Sequence, residues 1–122
     1  MKYDDTILVV DDDNLVRLGI MMTLKDKGYT RCVAAKTGAM AVDMAREHRP
    51  KAILMDVRLG SGIDGIAAAN LIREFHPCHV VFLTGSNELE TRRRIEQANP
   101  SGLLTKPILS HIITNALEQL IT

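Results

Sequence analysis

The sequence contains no tryptophan and has only two tyrosines and two phenylalanines among its 122 residues. Proteins that bind single-stranded nucleic acid stack the bases on aromatic side chains, so this scarcity argues against such a surface. Fifteen basic residues balance fifteen acidic residues, which leaves a formal net charge of zero. Because the chain lacks the excess positive charge that attracts a phosphate backbone, we expect no direct nucleic-acid binding.

Cysteines and long apolar segments are also scarce. The two cysteines, Cys32 and Cys78, lie too far apart in the sequence to match a metal-binding or redox motif. We therefore expect reduced thiols, which are typical of a cytoplasmic protein. No apolar stretch reaches the length of about 18 residues that a membrane-spanning helix needs, so we expect no membrane association. The apolar run at residues 7–10 is too short for the core of a signal peptide, which also favours a cytoplasmic location.

The sequence does contain an alternation of short apolar runs and helix-like segments. Runs this short, separated by helical segments, are typical of buried parallel strands. Five such repeats predict an α/β fold with a five-stranded parallel sheet, doubly wound as (βα)5 with right-handed crossovers. The chain length predicts one domain over residues 1–122. The predicted strands cover residues 6–10, 31–34, 52–56, 80–84 and 102–104.

Capping residues set the expected ends of the helices between these strands. Asn14 is expected to cap a first helix that runs to residue 27, where Gly28 ends it. Thr37 is expected to cap the second helix, and Ser86 or Asn87 the fourth. The second and third helices are expected to stop before Pro50 and Pro77, and the fifth to cover residues 109–120. The residues of the first helix expected to face the core are Leu15, Leu18, Met21 and Met22.

Polar residues follow four of the predicted strands, at the point where each strand ends. The triplet Asp11-Asp12-Asp13 follows the first strand, and Asp56 ends the third. Thr84 ends the fourth strand, and the pair Lys106-Pro107 follows the fifth. Ligands of open parallel α/β sheets bind outside the carboxyl ends of the strands. If these strands are neighbours, three carboxylates, a hydroxyl and an ammonium lie at one edge of the sheet.

This set of side chains matches the chemistry of metal-assisted phosphoryl transfer, although each residue alone has a simpler explanation. Crowded carboxylates suit a hard cation such as Mg²⁺, but an acidic triplet also suits a solvated turn before a helix. Asp56 could accept a phosphoryl group as an acyl phosphate, or simply cap a helix. Lys106 could pair with a carboxylate or phosphate, or face solvent, and we predict that its bond to Pro107 is cis.

The sequence resembles the receiver domains of two-component response regulators over its whole length. The motifs that carry the resemblance are ILVVDDD at 7–13, LMD at 54–56 with DG at 64–65, FLT at 82–84 and LLTKP at 103–107. The resemblance implies the flavodoxin-like strand order 2-1-3-4-5, and a domain without a turnover substrate that catalyses its own phosphorylation and dephosphorylation. It implies that Asp56 is the phosphoacceptor, with Thr84 as the switch hydroxyl and Lys106 as the phosphoryl-contacting lysine.

The resemblance also implies the cofactor and the partners. Mg²⁺ would bind to Asp11, Asp12, Asp56 and the backbone carbonyl of Arg58, while Asp13 is expected to start the following helix. The phosphoryl donor would be a sensor histidine kinase or a histidine phosphotransfer protein. An unknown downstream effector would bind the face made by the fourth helix, the fifth strand and the fifth helix.

Three positions depart from the usual pattern of that family. Residues 58–63 form a loop one residue longer than usual and without its proline, Gly85 follows the switch threonine, and Leu103 replaces the switch aromatic. We expect phosphorylation to be retained. Because leucine has no polar tip, we expect the conformational response to depend on backbone movement of the loop at residues 84–86 instead.

Two other functions and one other metal site are compatible with parts of the sequence. A haloacid-dehalogenase-like phosphatase uses a D-x-D pair, which Asp11 and Asp13 superficially match, but 122 residues leave no room for its substrate domain. An interaction module that is never phosphorylated would not need the full set of site residues. The segment His76-Pro77-Cys78-His79 contains metal-binding residue types, although it directly precedes a buried strand.

Overall fold

The computed structural model describes residues 2–85 and 87–120. The strands are β1 (Ile7–Val10), β2 (Cys32–Ala35), β3 (Ala52–Asp56), β4 (His79–Thr84) and β5 (Gly102–Thr105). The helices are α1 (Asn14–Lys27), α2 (Gly38–His48), α3 (Gly65–Phe75), α4 (Leu89–Gln97) and α5 (Ser110–Glu118). Every predicted element is present, and the strand boundaries differ from the predicted ones by no more than one residue.

The five strands form one parallel sheet in the order β2-β1-β3-β4-β5, as predicted. Its register places Val10 beside Met55, Met55 beside Phe82, and Thr84 beside Thr105. The ends of β1, β3, β4 and β5 therefore meet at one edge of the sheet. The Lys106–Pro107 bond that follows β5 is cis, which confirms the prediction.

The alternating strand residues divide the core into two layers. Leu8, Ile53 and Phe82 face one layer, which also contains Ala41 of α2 and Ile72 of α3. Ile7, Leu54 and Leu83 face the other, which α1 and α5 close with Leu24, Ile113 and Leu117, among others. Buried strands with apolar residues on both faces are expected when helices cover both sides of a parallel sheet.

The first helix differs from its prediction in its cap and in its buried face. Asp13, rather than Asn14, is the N-cap, and its carboxylate accepts hydrogen bonds from the backbone N–H groups of Leu15 and Val16 at 2.9 and 3.1 Å. The buried residues of α1 are Ile20 and Leu24. The predicted inward residues Leu15, Leu18 and Met22 are instead 81%, 56% and 57% exposed, so that part of the prediction was wrong.

The N-cap of α2 is the predicted residue, whereas the N-cap of α4 is not. The Thr37 hydroxyl caps α2 by accepting from the Met40 N–H at 3.1 Å, as predicted. Glu88, rather than Asn87, is the N-cap of α4, and the alternative cap Ser86 lies outside the described residues. Within residues 2–85 and 87–120, no helix is both long and apolar enough to cross a membrane.

Candidate functional site

Two carboxylates lie side by side where neighbouring strands end. Asp11 follows β1 directly and is fully buried, and Asp56 is the last residue of β3 and is 4% exposed. The β1–β3 register that pairs Val10 with Met55 makes the two acids neighbours. Two buried carboxylates with oxygen atoms within 4.8 Å of each other repel unless a positive charge compensates them.

The ammonium group of Lys106 supplies part of that compensation. Its Nζ atom lies 3.1 Å from Asp11 Oδ2 and 3.2 Å from Asp56 Oδ1. The Lys106 backbone is held beside β4 because its N–H donates to the Thr84 carbonyl oxygen at 2.8 Å. One ammonium shared between two carboxylates leaves negative charge at the site, which favours a further cation.

The environment changes the protonation of both partners. Burial raises the pKa of Asp56 and the negative charge of Asp11 raises it further, and Lys106 opposes them only in part, so the pKa is about 6. Burial by itself lowers the pKa of Lys106, but its hydrogen bond to Asp11 and the charge of Asp56 outweigh burial and raise it. Lys106 therefore stays charged at neutral pH. The pKa of Asp56 depends on the charges of Asp11 and Lys106 beside it.

The carboxylates have a geometry that fits a divalent cation. Asp11, Asp12 and Asp56 each place one oxygen atom so that all three lie within 4.8 Å of one another. Carboxylate oxygens suit Mg²⁺, which typically takes one or two carboxylates and fills its other positions with waters and a phosphate oxygen. Asp12 is exposed, so it borders the open side of this cluster. Asp13 caps α1 in place of Asn14, so it belongs to the helix start, as expected, and not to the carboxylate cluster.

An open cavity of ≈ 1060 Å³ lies above these residues at the edge of the sheet. Thr84, which is 2% exposed at the end of β4, lines it together with Lys106 and the aspartates. Arg58 and Glu88 also line it, and the Arg58 guanidinium pairs with the Glu88 carboxylate at 3.2 Å. The structure thus brings Asp11, Asp12, Asp56, Arg58, Thr84 and Lys106 to one cavity, as the sequence predicted.

Two contributors to this site were not identified as such from the sequence. A Cβ atom on Gly65 would overlap the carbonyl oxygen of Asp56, so glycine is required where α3 meets the end of β3. Asp64 caps α3 and also binds the Arg94 guanidinium of α4 through two contacts of 2.6 and 3.1 Å. The Asp64-Gly65 pair was a visible signal, whereas nothing in the local sequence marks Arg94 as its partner.

The histidine-containing segment before β4 has structural contacts of its own. His76 Nε2 lies 2.5 Å from the Pro50 carbonyl oxygen, and His79 Nδ1 lies 2.9 Å from the Ser101 hydroxyl. Among the residues described, the only cluster of three potential metal ligands is the aspartate cluster. The segment therefore shows no metal-binding geometry.

The family assignment follows from comparison with known proteins. The sequence matches the family model described as "Response regulator receiver domain" over residues 7–118. The chain belongs to the response regulator receiver family. The function of this family is phosphorelay signalling, and its members are generally not turnover enzymes. Receiver domains bind Mg²⁺ at an acidic pocket, which the aspartate cluster of this chain matches in composition.

Individual relatives support the same assignment. The chain is 30% identical over 112 residues to the transcriptional regulatory protein PdtaR of Mycobacterium tuberculosis, covering 92% of this chain and 54% of PdtaR. It is 39% identical over 102 residues to the response regulator GacA of Pseudomonas protegens, covering 82% of this chain and 47% of GacA. The chain thus spans about half the length of these relatives.

A solved structure agrees in fold and in length. The signal receiver domain of a modulated diguanylate cyclase from Desulfovibrio desulfuricans G20 superposes with a TM-score of 0.89 at 28% identity. The match covers 97% of this chain and 94% of that domain. Receiver-domain membership implies a histidine kinase or a phosphotransfer protein as partner.

Proposed function

We propose that Asp56 is the phosphoacceptor of this receiver domain and takes the phosphoryl group of a phosphohistidine in a sensor histidine kinase or phosphotransfer protein. The observation that carries this proposal is the position of Asp56. It is a carboxylate at a strand end, 3.2 Å from a lysine ammonium and next to two further carboxylates. In the described part of the chain, only Asp56 and Asp11 both pair with a lysine and belong to a potential cation site.

In the proposed reaction an Asp56 carboxylate oxygen attacks phosphorus in line with the phosphohistidine nitrogen. The new O–P bond forms an acyl phosphate, the N–P bond breaks, and the released imidazole keeps the bonding pair and takes up a proton. Lys106 stabilises negative charge on the oxygens of the transferred phosphoryl group. The Thr84 hydroxyl donates a hydrogen bond to one of these oxygens. Asp11, Asp12, Asp56 and the Arg58 carbonyl would hold Mg²⁺, which would supply further charge stabilisation.

The proposal distinguishes Asp56 from Asp11 by their surroundings. Asp11 is fully buried and accepts a hydrogen bond from the Asp13 backbone N–H at 3.0 Å in addition to its contact with Lys106. Both acids line the cavity and contact Lys106, but Asp11 is fully buried and holds the Asp13 N–H, whereas Asp56 is 4% exposed to an approaching phosphoryl donor.

The remaining parts of the proposal concern the context of the domain. We propose that residues 1–122 form a single receiver domain in the cytoplasm, and that an effector binds the face made by α4, β5 and α5. We propose no direct binding to nucleic acid or to a membrane, because neither charge nor apolar segments favour it.

Incubation with a small phosphoramidate donor and Mg²⁺, followed by intact-mass measurement, tests the proposal. We expect one phosphoryl group on the wild-type chain, none after chelation of divalent cations, and none on Asp56→Asn. Asp43→Asn, which removes an exposed carboxylate on α2, is the matched control and should be modified like the wild type. Stoichiometric modification of Asp56→Asn would show that another residue is the acceptor.

Measurement of phosphate release, from the modified chain and from a phosphomonoester, separates a receiver from a phosphatase. A receiver holds its phosphoryl group and then loses it once, so phosphate release should not exceed the amount of protein modified when the donor is withdrawn. Sustained multiple turnover of a phosphomonoester would instead support the haloacid-dehalogenase-like alternative.

A further inference from the structure

An ion pair between two residues that line the cavity at Asp56 links two separate segments of the chain. Arg58 lies two residues beyond Asp56, and Glu88 is the N-cap of α4. The Arg58 guanidinium donates to Glu88 Oε1 at 3.2 Å, and both residues line the cavity. The ion pair therefore connects the loop that follows the phosphoacceptor to the start of α4.

This ion pair is weak in its present form. The Arg58 and Glu88 side chains are 73% and 68% exposed, and exposed pairs of this kind contribute at most about 1 kcal/mol. Arginine nevertheless has a planar, always charged guanidinium, which matches the geometry of phosphate oxygens. Added negative charge in the cavity can therefore draw the Arg58 guanidinium away from Glu88.

Phosphorylation of Asp56 makes such a change. It replaces one carboxylate by a phosphoryl group with a charge close to −2 and three strong acceptor oxygens. The only cations among the described lining residues are Arg58 and Lys106, and Lys106 already pairs with Asp11. The Arg58 backbone N–H lies close enough to Asp56 to oppose the rise in the pKa of its carboxyl group, so the chain at Arg58 lies beside the acceptor.

We propose that the Arg58 guanidinium exchanges Glu88 for a phosphoryl oxygen when Asp56 is phosphorylated, and so acts as a second phosphoryl-binding cation beside Lys106. This inference rests on the proposed function, and it assigns a role to the Arg58 side chain in addition to that of its backbone carbonyl.

The exchange has a defined consequence for α4. A second ion pair, between Asp64 and Arg94, joins the same loop to the middle of α4 with contacts of 2.6 and 3.1 Å. Neither of these residues lines the cavity, so the phosphoryl group does not compete for them. Loss of the Arg58–Glu88 pair therefore removes one of these two ion pairs between the loop and α4, while the Asp64–Arg94 pair is retained.

Titration with beryllofluoride in the presence of Mg²⁺ tests the exchange, because this anion mimics a phosphoryl group on a carboxylate. We expect Arg58→Gln to weaken beryllofluoride binding about tenfold, the scale of one charged hydrogen bond. Arg93→Gln, with the same charge change at an exposed position of α4, should stay near the wild type. Arg58→Lys should lose less affinity than Arg58→Gln, because it keeps the charge.

Removal of the competing acid should act in the opposite direction. We expect Glu88→Gln to tighten beryllofluoride binding about two- to threefold, in keeping with the weakness of an exposed ion pair. Glu90→Gln, two residues along α4, is the matched control for the charge change. In the Arg58→Gln background, Glu88→Gln should have no such effect, since the competition requires both side chains.

The outcomes separate this inference from the proposed function. If the wild-type chain binds no beryllofluoride with Mg²⁺, the proposed function fails and the exchange fails with it. If the wild type binds but Arg58→Gln matches Arg93→Gln, the proposed function stands and the exchange is wrong. If Glu88→Gln weakens binding, the intact Arg58–Glu88 pair is needed for beryllofluoride binding. That result would also overturn the exchange.

Discussion

The backbone of α3 at Gly65 packs directly against the carbonyl group of Asp56. A Cβ atom on Gly65 would overlap the Asp56 carbonyl oxygen and would lie 2.9 Å from the Met55 side chain. The Gly65 N–H donates to the Val57 carbonyl oxygen at 2.9 Å, which returns the chain to the end of β3. The position of the candidate phosphoacceptor thus depends on a glycine nine residues further along the chain.

We predict that Gly65→Ala destabilises the protein by about 3 kcal/mol, because the added methyl group meets backbone atoms that cannot move aside. Phosphoryl incorporation at Asp56 should slow as well, since the end of β3 must shift. Urea denaturation and intact-mass kinetics measure the two effects. Gly19→Ala in α1 is the control, because its Cβ would have no neighbour within 4 Å. That change should stabilise the protein by about 0.5–1 kcal/mol, and equal effects of the two substitutions would contradict the prediction.

The second prediction concerns the charge of Asp56 without metal. Its pKa of about 6 lies above the ordinary value of 3.8. A carboxyl group with a raised pKa in the folded state contributes stability when it is protonated, and that contribution is lost as the pH rises through about 6. The ionised Asp56 should therefore destabilise the metal-free protein at neutral pH, and Asp56→Asn should be more stable than the wild type.

We expect this gain in stability to be roughly 1–3 kcal/mol at pH 8. The upper end corresponds to the full pKa shift of about two units. The gain should shrink by pH 5, where the wild-type carboxyl group is largely protonated. Urea denaturation of both proteins at the two pH values, with a chelator present, measures it. Lys106 keeps Asp11 as a partner at 3.1 Å in the variant. A variant less stable than the wild type at pH 8 would show that Lys106 outweighs the burial of Asp56.

Much of this site could be predicted because strand ends are informative in a parallel sheet. Asp11, Asp56 and Lys106 each follow a short apolar run, and parallel strands bring such ends to one edge. The buried face of α1 could not be predicted in the same way. That helix has apolar residues at so many positions that no single stripe stands out, and packing against the sheet selected Ile20 and Leu24.

The two ion pairs that join the loop after β3 to α4 could not be predicted from the sequence, for a different reason. Arg58 and Glu88 are 30 residues apart, as are Asp64 and Arg94. Glu88 and Arg94 lie in a strongly charged segment whose composition is equally compatible with full solvation, and no neighbour of Arg58 or Asp64 in the sequence marks a partner. Their pairing depends on where α4 lies relative to the loop after β3, which only the tertiary structure determines.

The third prediction concerns the separate roles of two adjacent acids. Asp12 belongs to the carboxylate cluster, whereas Asp13 caps α1. We expect Asp12→Asn to weaken Mg²⁺ binding about tenfold, as expected when an anionic ligand is lost, and to relieve carboxylate repulsion in the metal-free protein. Asp13→Asn should keep its Mg²⁺ affinity within about twofold, because asparagine caps a helix as well as aspartate does.

Thermal unfolding with increasing Mg²⁺ measures both affinities, since a ligand at ten times its Kd stabilises the folded state by about 1.4 kcal/mol. Equal Mg²⁺ dependence of Asp12→Asn and the wild type would remove Asp12 from the site. A strong loss of affinity in Asp13→Asn would add Asp13 to it.

The last prediction concerns how the occupied site changes the rest of the molecule. Thr84 is 2% exposed at the end of β4 and lines the cavity, whereas Leu103 on β5 is half-buried and pairs with Phe82 in the sheet. Leucine has no polar group that could follow a phosphoryl oxygen. A ligand shifts a conformational population only through differential contacts, and Thr84 offers such a contact. We therefore expect the loop after β4 to move with Thr84, with Gly85 adding little steric resistance.

Amide exchange of that loop, with and without beryllofluoride and Mg²⁺, tests this role. Leu103→Ala should leave most of the loop response in place, although its lost packing should destabilise the sheet edge. Thr84→Ala should remove most of the response, and Thr84→Ser should restore it, because serine retains the hydroxyl. Since Thr84→Ser and Thr84→Ala both remove the methyl group, the contrast between them isolates the hydroxyl. A response that disappears in Leu103→Ala but persists in Thr84→Ala would make the leucine the switch and would contradict this mechanism.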